Sequence, residues 1–196
     1  MFTGIVAHKG SVVDVADDGG VRRITVEAGA LADLMVGDSI AVNGVCLTAV
    51  AVEESRIEVE VVQETLSRSS LGGVQSGDPV NLERPMSAND RFDGHIVQGH
   101  VDGVGTVVEV VNEGDDRRMR IEVPSDLARF IAEKGSITVD GVSLTVAAVG
   151  PDHFEVALIP HTLEVTTLGL RSEGDQVNLE VDIIAKYVER LLEAGS

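Results

Sequence analysis

The sequence contains two copies of one pattern, and this repeat strongly limits what the chain can fold into. Residues 39–48 (SIAVNGVCLT) and 136–145 (SITVDGVSLT) match at seven of ten positions, at an offset of 97. Residues 77–83 and 174–180 match at six of seven positions at the same offset. Near the start, Gly4-Ile5-Val6 faces Gly99-His100-Val101 at an offset of 95. Self-similarity over this span predicts two units of the same fold in tandem.

Within each copy, polar and apolar residues alternate over short runs. The run Arg56-Ile-Glu-Val-Glu-Val-Val has the period of two that is typical of a half-buried strand. Asn43-Gly44 and Asp140-Gly141 separate such runs and predict tight hairpin turns, which need positive φ at both central residues. About six short strands per copy favour an all-β fold of two six-stranded Greek-key barrels.

The remaining segments predict a few short elements around the barrels. Short helical pieces are expected at Gly29–Met35 and Ser125–Glu133, and an amphipathic helix at the C-terminus, with Ile184, Val188 and Leu191 on one face. The change of offset is expected in the polar stretches Ala16–Gly20 and Asn112–Asp116, where loops tolerate insertions. The domain prediction is a barrel over 1–86, a linker over 87–94, a barrel over 95–182 and a helix over 183–196.

Charge and cysteine content exclude several classes of partner. The net charge of −18 repels phosphate backbones and anionic headgroups, so neither nucleic acid nor a membrane is an expected partner. A lone cysteine, Cys46, cannot form an internal disulfide, and no stretch resembles a signal peptide, so we expect a cytoplasmic protein. His95 and His100 lie outside any predicted helix, and no metal site is expected from them.

The two copies differ at several positions, and the second copy has the more polar residues. The matched pairs are Ile5 and His100, Gly37 and Lys134, Cys46 and Ser143, Glu64 and His161, and Pro85 and Asp182. The interpretation is two similar pockets, the first mainly for binding and the second for acid–base chemistry. Each residue also has a structural alternative. His100 is then a satisfied hydrogen-bonder, Cys46 a small buried residue, Lys134 a helix cap, and Asp182 the start of the last helix; Ser143 and Thr145 then fill the hairpin.

Several motifs together resemble riboflavin synthase of the α-chain type, over essentially the whole chain. They are Met1–Val6 (MFTGIV), the two repeats NGVCLT and DGVSLT, residues 94–103 (GHIVQGHVDG) and residues 159–163 (IPHTL). The resemblance implies a transferase that catalyses the last step of riboflavin biosynthesis. One molecule of 6,7-dimethyl-8-ribityllumazine donates a four-carbon unit to a second one, giving riboflavin and 5-amino-6-ribitylamino-uracil, without metal or other cofactor. It also implies a homotrimer joined by the C-terminal helices, with each site between two subunits; lumazine synthase is a further candidate partner.

The resemblance also implies which residues contact substrate. In the first copy they are Gly4, Ile5, Val6, Cys46, Leu47, Thr48, Val62, Gln63, Glu64, Thr65, Leu66 and Ser67. In the second they are Gly99, His100, Val101, Lys134, Ser143, Leu144, Thr145, Ile159, Pro160, His161, Thr162 and Leu163. The candidate catalytic residues are His100, Ser143, Thr145, Cys46 and Asp182. Two alternatives remain: a non-catalytic antenna protein that holds a lumazine or flavin, and a generic interaction module.

Overall fold

Two closed, six-stranded antiparallel β-barrels follow one another along the chain. The computed structural model describes residues 1–31 and 34–194. The first barrel contains β1 (His8–Asp18), β2 (Val21–Glu27), β3 (Ser39–Val42), β4 (Val45–Glu53), β5 (Arg56–Val62) and β6 (Pro79–Glu83). The second contains β7 (Gly103–Glu113), β8 (Asp116–Glu122), β9 (Ser136–Val139), β10 (Val142–Val149), β11 (His153–Leu158) and β12 (Gln176–Val181).

The strand order is the same in both barrels and confirms the predicted fold. In the first barrel it is β1-β2-β5-β4-β3-β6, and the second has the equivalent order β7-β8-β11-β10-β9-β12. Strands β3, β4 and β5 follow one another as hairpins, and β6 returns to pair with β3. This connection is a Greek key. The predicted turns at Asn43-Gly44 and Asp140-Gly141 are confirmed, since all four residues have positive φ.

Each barrel has a hydrophobic core of its own. In β5 the side chains of Ile57, Val59 and Val61 are buried, while the residues between them are more exposed. Full burial of one such aliphatic side chain contributes roughly 1.5–3 kcal/mol, so the alternating pattern fixes which face of each strand points inward.

In the part of the chain that the structure describes, four helices and three 3-10 turns connect the strands and follow the second barrel. The helices are α1 (Gln63–Arg68), α2 (Ser125–Ala128), α3 (Pro160–Val165) and α4 (Ile183–Ala194), and the 3-10 turns are Gly29–Leu31, Ser70–Gly73 and Thr167–Leu170. The helix predicted over Gly29–Met35 is wrong in extent, because only Gly29–Leu31 is a 3-10 turn and residues 34–35 are not helical; Ala32 and Asp33 lie outside the described residues. The helix predicted over Ser125–Glu133 is shorter too. The C-terminal helix α4 was predicted.

The position predicted for the change of offset is wrong. The first two strands have equal lengths in both barrels, with β1 and β7 of 11 residues and β2 and β8 of 7. The extra residues instead lie between the second and third strands, where 28–38 corresponds to 123–135. In each barrel the first two strands pair with each other, and extra residues within them would shift that pairing. The two extra residues of the second copy therefore follow this hairpin.

Side-chain amides link the two barrels where their β3–β4 and β9–β10 turns meet. Asn178 Nδ2 donates to the Asn43 carbonyl at 2.8 Å, and Asn81 Nδ2 donates to the Asp140 carbonyl at 2.9 Å. All four residues are buried. Buried amides with satisfied donors hold one orientation, so these bonds fix one barrel relative to the other.

Candidate functional site

The segments that lead into the two barrels cross each other. We call residues 1–7 the first leading segment and residues 95–102 the second. The amide of Phe2 donates to the Val97 carbonyl at 2.8 Å, and the amide of Val97 donates to the Phe2 carbonyl at 3.2 Å. Phe2 and Val97 are buried together with Ala41, so the crossing is part of the core. Each segment therefore passes over the opposite barrel.

A glycine in each leading segment contacts the opposite barrel directly. The carbonyl of Gly4 accepts from the amide of Ser143 at 2.8 Å, and that of Gly99 accepts from the amide of Cys46 at 2.9 Å. A Cβ at Gly4 would lie 2.6 Å from Ser143 Cβ, and one at Gly99 would lie 2.6 Å from Cys46 Cβ. Both glycines have positive φ, 75° and 77°. Only glycine satisfies both the conformation and the space at these positions.

The grouping of site residues by repeat is therefore wrong for both leading segments. Sequence analysis grouped His100 with Ser143 in the second barrel and Ile5 with Cys46 in the first. Instead Val101 packs against the core of the first barrel and Val6 lies in the core of the second. The physical reason is the crossing at Phe2 and Val97, a contact between residues far apart in the sequence.

One cavity of the first barrel contains several predicted site residues from both halves. Its volume is about 150 Å³. Its lining consists of Val45, Cys46, Glu64, Thr65, Arg68, Ser69, Gly99, His100 and Val101. Glu64 and Arg68 form an ion pair on α1 at its rim. Cys46 and His100 thus share one pocket.

In the second barrel, Ser143 contacts a histidine that was not chosen as a site residue. His95 Nδ1 lies 2.7 Å from Ser143 Oγ. Burial lowers the pKa of His95 below its ordinary value, and the charge of the Asp182 carboxylate opposes this shift. A neutral imidazole beside a hydroxyl is an arrangement that can accept a proton. From the sequence, His95 was considered only as a possible metal ligand. Its position next to Gly94 was the one feature that could have marked it as a site residue.

Two buried carboxylates hold the leading segments at equivalent places. Glu83, which ends β6, accepts from the amides of Thr3 at 2.8 Å and Gly4 at 3.1 Å. Glu180 of β12 accepts from the amides of Gln98 at 2.8 Å and Gly99 at 2.9 Å. Burial raises the pKa of both carboxyls, and the hydrogen bonds from these backbone amides oppose it. Each barrel thus anchors its own leading segment before the segment reaches the other barrel.

Lys134 is the predicted site residue with the least favourable backbone. Its φ is 65°, whereas the matched Gly37 has φ of 96°. A lysine in the left-handed region costs about 1–2 kcal/mol relative to the right-handed one. Lys134 follows α2 by several residues and does not cap it. Lys134 thus combines a strained backbone with an exposed side chain, and such strain is often found at functional sites.

We call the pocket with Cys46 and His100 the half-site of the first barrel, and the surroundings of Ser143 and His95 the half-site of the second. The other predicted residues differ in exposure. Ser143 and Thr145 are two apart on β10 and so point to the same side of the strand. Exposed residues are Thr48, Val62, Gln63, Ser67, Thr145, Ile159, Pro160 and His161, while Leu66, Leu144, Thr162 and Leu163 are half-buried and Leu47 is buried. Helices α1 and α3 carry Gln63–Ser67 and Pro160–Leu163, and neither helix was predicted. Helix α1 begins directly after β5, and α3 begins one residue after β11 ends, both without a side-chain N-cap. Pro160 in the first turn of α3 is a start signal that was not used to predict a helix.

A second cavity, larger than the one at Cys46, is lined by part of the first leading segment. Its volume is about 410 Å³, and it lies between the first leading segment, β6 and the residues that follow β6. Ile5 is the predicted site residue that lines it. Within residues 1–31 and 34–194, no group of three or more His, Cys, Asp or Glu side chains is arranged to hold a metal ion.

Comparison with known proteins identifies the family. The lumazine binding domain model matches twice, at residues 3–85 and 98–182. Riboflavin synthase of Mycobacterium tuberculosis (strain H37Rv) is 50% identical over 200 residues, covering 100% of both chains. Riboflavin synthase of Actinobacillus pleuropneumoniae is 46% identical over 193 residues, covering 98% of this chain and 90% of the relative. The chain belongs to the riboflavin synthase family.

Solved structures of LumP share the fold of this chain. LumP complexed with riboflavin has a TM-score of 0.87 at 24% identity, and covers 92% of this chain and 99% of that one. LumP complexed with flavin mononucleotide has a TM-score of 0.83 at 26% identity with the same coverage. In the part of the chain that the structure describes, no helix has the length and apolar character to cross a membrane.

Proposed function

We propose that this protein is a riboflavin synthase that converts two molecules of 6,7-dimethyl-8-ribityllumazine into riboflavin and 5-amino-6-ribitylamino-uracil. One molecule donates a four-carbon unit and the other accepts it, so the reaction needs two related binding sites with different side chains. The observation that carries the proposal is that pairing: two barrels of one fold, with Cys46 and His100 at one and Ser143 and His95 at the other. Full-length identity to riboflavin synthases supports it.

The second barrel is proposed to hold the molecule that loses a proton. The 7-methyl group of the lumazine is acidic because its anion delocalises into the ring. In this proposal Ser143 Oγ takes that proton while donating its own to His95 Nδ1, 2.7 Å away. Asp182 then stabilises the imidazolium through its negative charge. The lowered pKa of His95 keeps the ring neutral and ready to accept.

The first barrel is proposed to hold the partner molecule, with Cys46 and His100 facing it. His100 lies on an exposed part of the second leading segment, where its ring can donate to or accept from the bound lumazine. The remaining proposed contacts are those predicted from the sequence, regrouped by barrel. Gly99, His100 and Val101 join Cys46–Thr48 and Val62–Ser67, while Gly4, Ile5 and Val6 join Lys134, Ser143–Thr145 and Ile159–Leu163. Holding two rings face to face supplies much of the acceleration.

The proposal includes a homotrimer with sites between subunits. The apolar side chains Ile184, Tyr187, Val188, Leu191 and Leu192 of α4 are between 51% and 74% exposed. A 12-residue helix is marginal alone in water, so such a stripe is expected to pack against partner helices. The cavity at Cys46, about 150 Å³, is smaller than the 300–1,000 Å³ usual for ligand sites. A second subunit that covers it would complete the enclosure.

Two further parts of the proposal concern the cell. We propose a cytoplasmic location, which a single free cysteine fits. Lumazine synthase is a proposed partner because an enzyme of that activity supplies the substrate, and co-sedimentation of the two purified proteins tests it. The sequence units 1–86, 87–94, 95–182 and 183–196 are retained as the proposed domains.

Turnover of the lumazine is the decisive experiment. The purified protein, treated with a chelator, is incubated with 6,7-dimethyl-8-ribityllumazine, and riboflavin is followed by its absorbance and fluorescence. The protein lacks tryptophan and has one tyrosine, so its own signal is weak. Riboflavin formation without added metal supports the proposal. Tight binding of the lumazine with no riboflavin would favour the antenna protein instead.

Truncation after Asp182 tests the assembly. Removing α4 is expected to leave barrels that bind the lumazine weakly but have a lower mass by light scattering and almost no turnover. A truncated chain that runs as a monomer and keeps full activity would place the whole site within one subunit.

A further inference from the structure

Within the described residues, two ion pairs join helix α4 to the rest of the chain, and one of them reaches the segment that carries His100. Lys186 Nζ lies 2.6 Å from Asp102 Oδ1, and these side chains are 26% and 18% exposed. The other tether joins Arg129 to Glu189 at 2.8 Å, with Arg129 58% exposed. Because solvent weakens exposed ion pairs, the Lys186–Asp102 pair is the stronger constraint on the position of α4.

Asp102 also fixes the second leading segment just after His100. Its Oδ2 atom accepts from the amide of Val181 at 2.9 Å, so one carboxylate binds both β12 and α4. Just before His100, Glu180 binds the amides of Gln98 and Gly99, and the charge of Lys186 also acts on this carboxyl. In the sequence, His100 therefore lies between backbone amides held by Glu180 and a carboxylate, Asp102, that pairs with Lys186.

The first half of the chain provides an internal comparison. At the offset of 95, Ala7 stands where the second leading segment has Asp102. The described residues between β6 and β7 contain no helix that could supply a lysine. Among residues 1–31 and 34–194, the equivalent side-chain anchor of the first leading segment, which carries Ile5 in place of His100, is Glu83. The additional constraint occurs only on the segment with the polar candidate residue.

We propose that Lys186 and Asp102 are positioning residues for the reaction, which hold His100 at the pocket of the first barrel and couple helix α4 to that pocket. This inference rests on the proposed function. His100 is exposed on a segment without regular secondary structure, so nothing in its own backbone pairing fixes the ring. A misplacement of about 1 Å lowers a rate by up to about 10²-fold.

Four substitutions that remove a charge, and one that keeps it, distinguish a positioning role from a general effect on stability. Lys186→Gln and Asp102→Asn remove the two members of the pair with little change of size, and Lys186→Arg restores the charge. The matched control is Arg190→Gln, which removes one positive charge from the same helix, where Arg190 makes an exposed pair with Glu193. Arg129→Gln removes the other tether.

The expected result is a loss of kcat with little change in KM. Lys186→Gln and Asp102→Asn should lower kcat about 10- to 100-fold, while Lys186→Arg recovers most of it. The double variant Lys186→Gln/Asp102→Asn should lose no more kcat than the more impaired single variant, since the two residues act as a unit. Arg190→Gln and Arg129→Gln should stay within about twofold, as exposed pairs contribute little. Mass by light scattering and thermal unfolding should be unchanged in Asp102→Asn.

A second measurement keeps the inference testable without turnover. In histidine ring NMR spectra, Lys186→Gln and Asp102→Asn should shift the His100 signals, whereas Arg190→Gln should not. Absence of riboflavin from the wild-type protein overturns the proposed function alone, and the His100 signals still decide the positioning. Equal kcat in Lys186→Gln and Arg190→Gln overturns the inference, as does a loss of kcat found only with a lower mass or melting temperature.

Discussion

Ser143 contacts both leading segments at once: its amide donates to the Gly4 carbonyl at 2.8 Å, and its Oγ lies 2.7 Å from His95 Nδ1. The half-site of the second barrel thus depends on residues from both leading segments. Cys46 occupies the matched position in the first barrel, and its amide donates to Gly99. The two half-sites share the same backbone hydrogen bond to a glycine carbonyl and differ in their side chains.

His95 is predicted to matter more for rate than for binding. His95→Gln should lower kcat by roughly 10²–10⁴, the usual range for a group that transfers a proton, with a smaller effect on lumazine affinity. His153→Gln is the control, because His153 pairs with Asp152 at the start of β11 and lies outside both half-sites. Steady-state kinetics and fluorescence titration separate the two effects. Similar kcat values for the two variants would remove His95 from the mechanism.

The pH dependence of kcat follows from the lowered pKa of His95. An ordinary histidine, with a pKa of 6.5, is half protonated at that pH, whereas burial lowers the pKa of His95 and leaves it more than half neutral there. If neutral His95 accepts the proton, the decline of kcat at low pH should be centred below 6.5. The residual activity of His95→Gln should lack this decline. A wild-type decline centred above pH 6.5 would contradict the assignment.

Alanine at either crossing glycine should damage the half-site of the opposite barrel. Gly4→Ala and Gly99→Ala each bring a Cβ to 2.6 Å from a neighbouring Cβ, that of Ser143 or Cys46. Gly20→Ala is the control, since its φ is 94° but no atom lies within 4 Å of the new Cβ. The control should cost about 1–3 kcal/mol of backbone strain, and the two test variants about 1–3 kcal/mol more in urea unfolding. Turnover should fall only in the test variants.

Lys134 is predicted to lower the free energy of unfolding while contributing to turnover. Lys134→Gly should stabilise the fold by about 1 kcal/mol, because glycine adopts the left-handed conformation without strain, and should lower turnover. Glu54→Gly is the control: Glu54 also has positive φ, 52°, in the turn between β4 and β5. That variant should gain similar stability in urea unfolding without losing activity. Unchanged turnover in Lys134→Gly would make Lys134 a turn residue only.

The sequence predicted most of what local pattern determines. Alternation along runs such as Arg56–Val62 indicated strands, and Asn43-Gly44 and Asp140-Gly141 indicated turns, because each depends on neighbouring residues. The repeat extended these predictions to two barrels. The short helices α1 and α3 were missed, since each has six residues and no side-chain N-cap, and Pro160 in the first turn of α3 is a weak signal alone.

The crossing of the leading segments could not be predicted in the same way. Alignment of the repeats assigns His100 to the second copy, but the Phe2–Val97 contact moves it to the first barrel. That contact joins two apolar residues far apart in the sequence, with no charge or spacing that marks them as a pair. The chemistry of the candidate residues was readable from the repeat differences, whereas their grouping needed the fold.

The last prediction concerns Asp140 and Arg171, which differ from their counterparts together. Asp140 is fully buried, and its Oδ2 accepts from Arg171 Nη2 at 2.7 Å. The matched positions in the first barrel are Asn43 and Val74. Asn43 Oδ1 accepts from the amide of Asn81 at 2.7 Å, as Asp140 Oδ1 does from that of Asn178 at 2.8 Å. Asn43 thus accepts the same backbone hydrogen bond as Asp140 without needing a paired cation.

Arg171→Val should therefore destabilise the protein, and a second change should restore it. Alone, it leaves a buried carboxylate unpaired and should cost about 3–5 kcal/mol in urea unfolding. Adding Asp140→Asn recreates the pair of the first barrel and should return stability to within about 1 kcal/mol of wild type. Burial raises the pKa of Asp140, and Arg171 opposes it, so the folded pKa rises further in Arg171→Val. Protonation then favours the folded state, and the deficit should shrink as the pH falls from 7 to about 5, but stay constant in the double variant. A deficit independent of pH, or one that the double variant keeps, would mean that Arg171 stabilises the fold by packing rather than by charge.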